Sequence, residues 1–306
     1  MTTALGPVSA ACRRRLIGHY GSAAEQWLDS VPDLFVDVAG RWGLRLSDYH
    51  DVGHASVIAL ARRAGSPVLL KAWFDHHRYA QELAALHLWR SGPVARVLDR
   101  ADDMKIALFD LVGGRAGGRV RPKAEAPAVA AAIAAIHAVT PRPAPGLMPE
   151  LTDYRDNEII PRIRRRIIAL GGLVPTDCME VGLDACDALP AKAPNVVVLH
   201  ADLYRENVLW DAHGQPVLID PLPMIGDAGF DWAFWTVYYD LADGQRGRLR
   251  LTENVARADL STALIWAQVL SLDGLLFYLE TQDSRAARMT KVLRGLATMS
   301  RTGALQ

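Results

Sequence analysis

Cysteine is scarce in this sequence: Cys12, Cys178 and Cys186 are the only three in 306 residues, and no two of them share a C-x-x-C spacing. An odd, scattered set excludes a disulfide framework and a cysteine-built zinc site, and it points to a reducing compartment, the cytoplasm. A surplus of either charge is lacking too, with 34 Lys plus Arg against 34 Asp plus Glu. That balance removes any global electrostatic case for nucleic acid or an anionic membrane as partner. Long apolar runs are missing: the stretch around Ala126 to Val139 is Ala-rich, broken by His137 and too short to span a bilayer. Near the N-terminus Arg13-Arg14-Arg15 follows the apolar start, the reverse of a secretory signal's order. Phosphate-loop signatures are also absent. Gly113 to Gly118 is glycine-rich, but no Lys-Ser or Lys-Thr follows it, so it reads as a flexible linker rather than a Walker A loop.

What is present is a globular composition, 50% hydrophobic and 22% charged, enough for one large or two modest domains. Within it one stretch stands out, Val196 to Pro221, VVVLHADLYRENVLWDAHGQPVLIDP. A β-branched apolar run enters His200-Ala201-Asp202, Asn207 follows five positions after the aspartate, and a second apolar run delivers Asp220. Phosphoryl transfer from Mg-ATP needs a carboxylate to hold the attacking hydroxyl, plus a carboxylate and an amide oxygen for magnesium. Asp202 supplies the first; Asn207 and Asp220 supply the others. Asp202 and Asn207 fall on one tight loop, and a hairpin turning at Asp211-Ala212-His213-Gly214 returns Asp220 to the same end of the sheet. Upstream, Val68-Leu69-Leu70-Lys71-Ala72-Trp73 sets one lysine in an apolar strand, which is costly unless the lysine is paired. The helix expected from about His77 to Arg90 offers one acid, Glu82. Lys71 with Glu82 reads as a grip on the α- and β-phosphates.

The segments HADLYRENVLWD and VLIDPLPMIGDAGFDWA resemble the catalytic and metal-binding segments of the aminoglycoside phosphotransferases. The IDP-x-P-x-x-GD-x-GFD run is similar to the streptomycin 6-phosphotransferase and hydroxyurea phosphotransferase branch of that family. The resemblance implies an α+β, bilobal protein-kinase-like fold. Residues 1–112 would form a small nucleotide-binding lobe of antiparallel sheet and flanking helices, and residues 113–306 a large, mostly helical lobe with the catalytic loop, metal and acceptor site. ATP or GTP with Mg2+ would lie in the cleft between them. The resemblance also implies a phosphate-covering loop at Gly53-His54-Ala55-Ser56, with Ser56 a nucleotide contact. It implies a hinge at Phe109, Asp110, Leu111 and Val112 that reads the purine through main-chain groups. His200, Asp227 and Asp231 become supports of the catalytic loop. Two departures mark this chain: Pro221 follows Asp220 where protein kinases have Phe-Gly, and Tyr204 stands where many relatives carry His.

Elsewhere the spacing predicts helices over Ala23 to Leu28 and Pro32 to Trp42, with Gly43 as a C-cap. Asp231 is placed to N-cap an aromatic helix, Trp232 to Leu241. Arg162, Arg164, Arg165 and Arg166 read as a solvated or interlobe face. Two helical stretches, Glu253 to Thr281 and Ser284 to Thr298, complete the chain.

From Glu206 through Gln245 there is no Lys or Arg. Setting aside the metal and loop aspartates leaves Glu206, Asp240 and Asp243, a negative wall suited to a small cationic hydroxyl compound. Glu206, Trp235, Tyr239 and Asp240 are the expected acceptor contacts, although Trp232, Trp235, Tyr238 and Tyr239 fit pocket or core equally. The reading is a monomeric, cytoplasmic, ATP-dependent O-phosphotransferase acting on a cationic antibiotic, an aminoglycoside of the streptomycin type, with no nucleic-acid or membrane partner. Kinases of other small molecules, and a non-catalytic nucleotide-binding chain, are the alternatives.

Overall fold

The computed structural model describes residues 5–51, 55–139, 146–193, 195–256 and 260–302. Gly53 and His54 of the expected phosphate-covering loop lie outside those residues. The chain forms two compact units, Met1–Pro122 with Leu209–Ile219, and Lys123–Val208 with Asp220–Gln306. The division therefore falls at Pro122 rather than at Val112, and a hairpin from the middle of the second half belongs to the first unit.

The first unit runs α1 (Ala10–Tyr20), α2 (Ala24–Trp42), β1 (Leu44–Tyr49), β2 (Ser56–Arg63), β3 (Ser66–Trp73), α3 (His76–Leu88), β4 (Val97–Ala101) and β5 (Ile106–Asp110). Its five-stranded sheet has the order β1-β2-β3-β5-β4, antiparallel throughout. The period-2 alternation of a strand with both faces covered explains why β3 and β5 read as continuous apolar runs. Leu70, Ala72, Ile106 and Leu108 point to the face packed by Leu28, Val31, Phe35 and Val38 of α2. Leu69, Trp73, Ala107 and Phe109 pack on the other with Tyr79, Leu83 and Leu86 of α3. The expected pair of N-terminal helices is one helix, α2, with Pro32 inside it and Gly43 in the left-handed conformation as its cap. A proline in the helix interior is tolerated here because buried side chains on both sides of it, Leu28 and Val31 before and Phe35 and Val38 after, anchor the helix.

The second unit opens with α4 (Ala126–His137), then α5 (Leu151–Tyr154), which continues through a π-turn at Arg155–Ile159 into α6 (Ile160–Leu170), then α7 (Thr176–Ala188). Strand β6 (Val196–Leu199) follows, then the hairpin β7 (Val208–Trp210) and β8 (Pro216–Leu218), most of which belongs to the first unit. Strand β9 (Met224–Asp227) pairs antiparallel with β6, and α8 (Gly229–Tyr238), α9 (Gln245–Ala256), α10 (Leu260–Glu280) and α11 (Ala286–Thr302) complete the unit. Helix α10 is a longer apolar run than Ala126 to Val139. It is long and apolar enough to cross a membrane, but 78% of its most apolar window is buried inside the fold. It is the core helix of this unit.

The hairpin turns where expected: Asp211 Oδ1 accepts from the backbone N–H of His213 and Gln215, both at 2.8 Å, and Gly214 has φ 72°. The glycine-rich segment is not a flexible linker. Gly118 has φ 70°, a Cβ there would lie 2.9 Å from the Trp210 nitrogen, and Arg119 N–H donates to the Trp210 carbonyl at 2.8 Å. The glycines let one backbone lie against another.

Candidate active site

In the first unit, Lys71 lies on β3 opposite Ala107 of β5, a small neighbour that leaves room along the strand. Its side chain emerges on the α3 face, and Nζ donates to Glu82 Oε1 at 2.6 Å. The lysine and glutamate are buried, at 5% and 2% exposure. A buried pair of this kind fixes geometry more than it stabilises, since desolvation offsets most of the attraction. Helix α3 is started by Asp75, whose carboxylate accepts from His77 N–H at 2.8 Å. Both oxygens of Glu82 are engaged, because Trp73 Nε1 donates to Oε2 at 2.9 Å. The Lys71 ammonium also lies 4.8 Å from the centre of the Trp73 ring.

Other expected nucleotide contacts fit less simply. Ser56 is buried at the start of β2, paired with Trp73, and so sits in the sheet rather than on an open loop. In the expected hinge, Phe109 is a core residue, Asp110 N–H donates to the Arg96 carbonyl at 3.1 Å, and the Leu111 carbonyl accepts from Gly114 N–H at 2.8 Å. Those main-chain groups are committed within the unit. Val112 opens the 3-10 turn that includes Gly113.

In the second unit, β6 delivers His200, Ala201 and Asp202. Asn207 Nδ2 donates to Asp202 Oδ2 at 2.7 Å and to the Asp202 carbonyl at 2.8 Å. Asn207 N–H closes the loop by donating to the Tyr204 carbonyl at 3.0 Å. With its amide nitrogen so committed, the side-chain oxygen of Asn207 is the atom of that amide able to bind a cation. The loop is held from below by Asp231, fully buried, whose carboxylate accepts from His200 N–H and Ala201 N–H, each at 2.7 Å. Asp231 was expected to cap a helix. It lies instead inside the first turn of α8 and points at the backbone of His200 and Ala201, because the helix starts earlier, at Gly229. His137, at the end of α4, brings Nε2 to 2.8 Å of Asp231 Oδ2. In the sequence this histidine is only an interruption in an apolar helix. A lone polar ring in such a run was the available clue, since buried polar groups need partners.

Asp220 sits just after β8 with φ 55°. The next stretch is tied to the Asp202 loop, as Leu222 N–H donates to the His200 carbonyl at 2.9 Å. Asp227 ends β9 beside Val196, and its Oδ1 accepts from Gly229 N–H at 2.7 Å, which fixes the entry to α8. His200 is fully buried, and its Nδ1 is 3.4 Å from Asp202 N. Among the described residues no cluster of three His, Cys, Asp or Glu forms a closed metal centre. Magnesium does not require one, since it keeps several waters and takes one or two protein oxygens besides the phosphates. The Asp220 carboxylate and the Asn207 amide oxygen fit that requirement.

The expected acceptor contacts divide. Glu206 is exposed on the turn Arg205–Asn207, and Asp240 is half-buried. Trp235 is fully buried, edge-on to Trp232 and Tyr239, so it supports the wall from behind and offers an acceptor no surface. Tyr239 is buried as well, and its hydroxyl donates to Glu125 Oε2 at 2.9 Å. Glu125, unremarked in the sequence, also accepts from Arg205 Nη2 at 2.9 Å. Two cations therefore flank the stretch that lacks Lys and Arg. Arg205 is one; Arg248 of α9 is the other, buried, with Nη2 donating to the carbonyls of Thr236, near the end of α8, at 2.9 Å and of Asp240 at 2.7 Å. Burial lowers the Arg248 pKa to about 10. Tyr204 is 39% exposed, edge-on to Phe234 and tilted against Tyr238, and desolvation raises its pKa, with the Asp202 charge adding to the effect. The expected solvated arginine face is also paired: Arg162 and Arg166 both bond Asp273 of α10, at 2.7 and 3.1 Å.

Comparison with known proteins bears on this arrangement. A family model described as aminoglycoside/hydroxyurea antibiotic resistance kinase matches residues 41–264. Streptomycin 6-kinase of Streptomyces glaucescens is 25% identical over 290 residues, covering 90% of this chain and 93% of that one. Hydroxyurea phosphotransferase of Kitasatospora aureofaciens is 26% identical over 294 residues, covering 90% of this chain and 83% of its own. Among solved structures, aminoglycoside phosphotransferase APH(4)-Ia in complex with ADP and hygromycin B aligns over 87% of this chain and 98% of its own, with TM-score 0.58 and 18% identity. Choline kinase LicA of Streptococcus pneumoniae aligns over 87% and 99%, with TM-score 0.58 and 12% identity. At those identities the structures share the fold alone, which is the kinase-like α+β fold. The family match is broader in kind, because it takes in Lys71, Glu82, Asp202, Asn207 and Asp220 in one continuous span: the chain belongs to the aminoglycoside/hydroxyurea antibiotic resistance kinase family, and it is a phosphotransferase.

Proposed function

We propose that the chain transfers the γ-phosphoryl group of ATP to a hydroxyl of a small cationic antibiotic, an aminoglycoside of the streptomycin type. The observation that carries this reading is the loop in which Asn207 holds Asp202 by two hydrogen bonds while Asp231 holds the loop's own backbone. Asp202 accepts the acceptor hydroxyl's hydrogen bond and orients it for in-line attack. It need not be a strong base, because the transition state is loose and catalysis comes mainly from positioning. Lys71, set by Glu82, grips the α- and β-phosphates. Asn207 and Asp220 would hold magnesium, which supplies charge neutralisation on the transferring phosphoryl group. Pro221 stiffens the backbone after Asp220 by fixing its own φ and removing an N–H.

The acceptor side supports a cation through Glu206, Asp240 and Asp243, with Tyr204 as an exposed aromatic face beside Asp202. Glu125 is tied to Arg205 and contributes less charge than its position suggests. A second acceptor class, a small hydroxyl compound such as hydroxyurea, is favoured by the hydroxyurea phosphotransferase relative. A coupled ADP-release assay with streptomycin, other aminoglycosides, hydroxyurea and simple amino alcohols separates the two. Streptomycin-dependent ADP release is expected. Release with hydroxyurea alone moves the acceptor to the second class, and release that no acceptor stimulates sinks both.

A further inference from the structure

We infer that Trp73 is a positioning residue for the nucleotide half of the site: its indole N–H pins Glu82, so that Lys71 stands in its phosphate-binding geometry before nucleotide arrives. The inference rests on the reading of Lys71 as the phosphate lysine. A glutamate held by one lysine keeps a soft degree of freedom, since rotation about its terminal carboxylate bond is broad and roughly two-fold. Here Lys71 Nζ takes Oε1 at 2.6 Å and Trp73 Nε1 takes Oε2 at 2.9 Å, which closes that freedom. The two donors come from one strand. Residues i and i+2 of β3 share a face, so a single rigid element presents both hydrogen bonds to α3.

The indole is suited to this task in a way that another donor would not be. It carries one N–H and no acceptor, so it has no competing arrangement with a carboxylate. It is also itself fixed, with 1% exposure, edge-on to Tyr79 with ring centres 5.3 Å apart and tilted against Phe109 at 6.3 Å. Tyr79 lies on α3, and it is its ring, not its hydroxyl, that packs on the indole; the hydroxyl donates away from it, to Asp102 at 2.5 Å. The ammonium of Lys71 lies 4.8 Å from the Trp73 ring centre, close enough for attraction to its face. Trp73 thus touches both members of the pair. A site ordered in advance spares the nucleotide the cost of ordering it.

Calorimetric titration with Mg-ATP tests this directly. Trp73→Phe keeps an aromatic ring and removes the N–H; it is expected to raise the Kd for Mg-ATP about tenfold, the loss of one hydrogen bond to a charged group, with the acceptor KM unchanged. In the Glu82→Gln background the same change is expected to add less than about twofold, because the interaction it removes is already weakened. Tyr79→Phe, which loses only the bond to Asp102, is expected to leave the Kd where it was. A Trp73→Phe Kd within about twofold of the wild type overturns the inference, as does full additivity with Glu82→Gln or an equal loss in Tyr79→Phe. Should Trp73→Phe fail to fold, the 15N-tryptophan spectrum of Glu82→Gln decides: one indole N–H resonance moves upfield, or none does and the inference is lost. Wild-type protein that binds no Mg-ATP would instead remove the kinase reading, and the positioning role with it.

Discussion

Ala201 and Asp220, at either end of the segment that carries Asp202 and Asn207, both hold positive φ, 56° and 55°. That region costs an L-residue roughly 1–2 kcal/mol unless its surroundings over-determine it. For Ala201 the surroundings are visible: its N–H and that of His200 are both taken by the buried Asp231 carboxylate. Ala201→Gly is therefore expected to keep activity, and Ala201→Val, β-branched at positive φ, to lose most of it, as kcat measurements would show. Asp231→Ala would leave two backbone N–H groups buried without that acceptor, at about 1–3 kcal/mol each. A lower melting temperature and a kcat reduced by at least about tenfold are expected, with Mg-ATP affinity nearly unchanged; a normal kcat would exclude the supporting role. That Asp202 and Asn207 share one tight loop was legible in the sequence, because their spacing is local. His137, Trp73 and Glu125 were not, because each takes its meaning from a partner outside its own segment: His137 from Asp231, Glu125 from Arg205 and Tyr239, and Trp73 from a glutamate on the next helix.

Among the helices, α10 shows how an element can hide in a sequence. Its apolar residues cover every side, so the amphipathic stripe that marks a surface helix is missing. The sequence placed a helix there and missed that it is the centre of the unit. Its one acid near the middle, Asp273, faces Arg162 and Arg166 of α6, with side chains only 13–23% exposed. Arg166 also reaches Glu280, whose side chain is 48% exposed. Burial separates the two acids. Asp273→Ala leaves two guanidinium groups in a poorly hydrated seat and is expected to cost about 3 kcal/mol, whereas Glu280→Ala is expected to stay within about 1 kcal/mol. Urea denaturation of the two variants measures both; equal costs would mean that Asp273 is as well solvated as Glu280. The same partners explain why the arginine cluster looked like a solvated face from the sequence: nothing within α6 reveals that an aspartate waits on a helix a hundred residues later.

At the scale of the whole molecule the three cysteines acquire a consequence that their scarcity alone did not suggest. Cys12, Cys178 and Cys186 are all buried and all free thiols. Desolvation raises the pKa of each, that of Cys186 to about 11 from an ordinary 9.0. Three tyrosines shift in the same direction, the half-buried Tyr49 to about 12 and Tyr204 and Tyr238 upward, desolvation leading in each. A thiol that stays protonated in the fold while its unfolded counterpart ionises means that the folded state binds more protons. Stability from these groups is therefore complete below pH 9 and is lost as pH rises toward 11. Each thiol contributes at most about 1.4 kcal/mol per pH unit in that window. Arg248 acts in the opposite sense, because burial lowers its pKa to about 10, but its effect begins only above that pH. Between pH 9 and 10 the thiols act without that opposition. Urea midpoints at pH 8, 9 and 10 are expected to hold steady over the first step and fall over the second. Cys186→Ala, whatever its cost at pH 8, is expected to flatten the fall. A midpoint that stays level to pH 10 in the wild type, or a fall of unchanged slope in Cys186→Ala, would mean that these thiols ionise as readily folded as unfolded, and that the interior around α7 is wetter than its packing indicates.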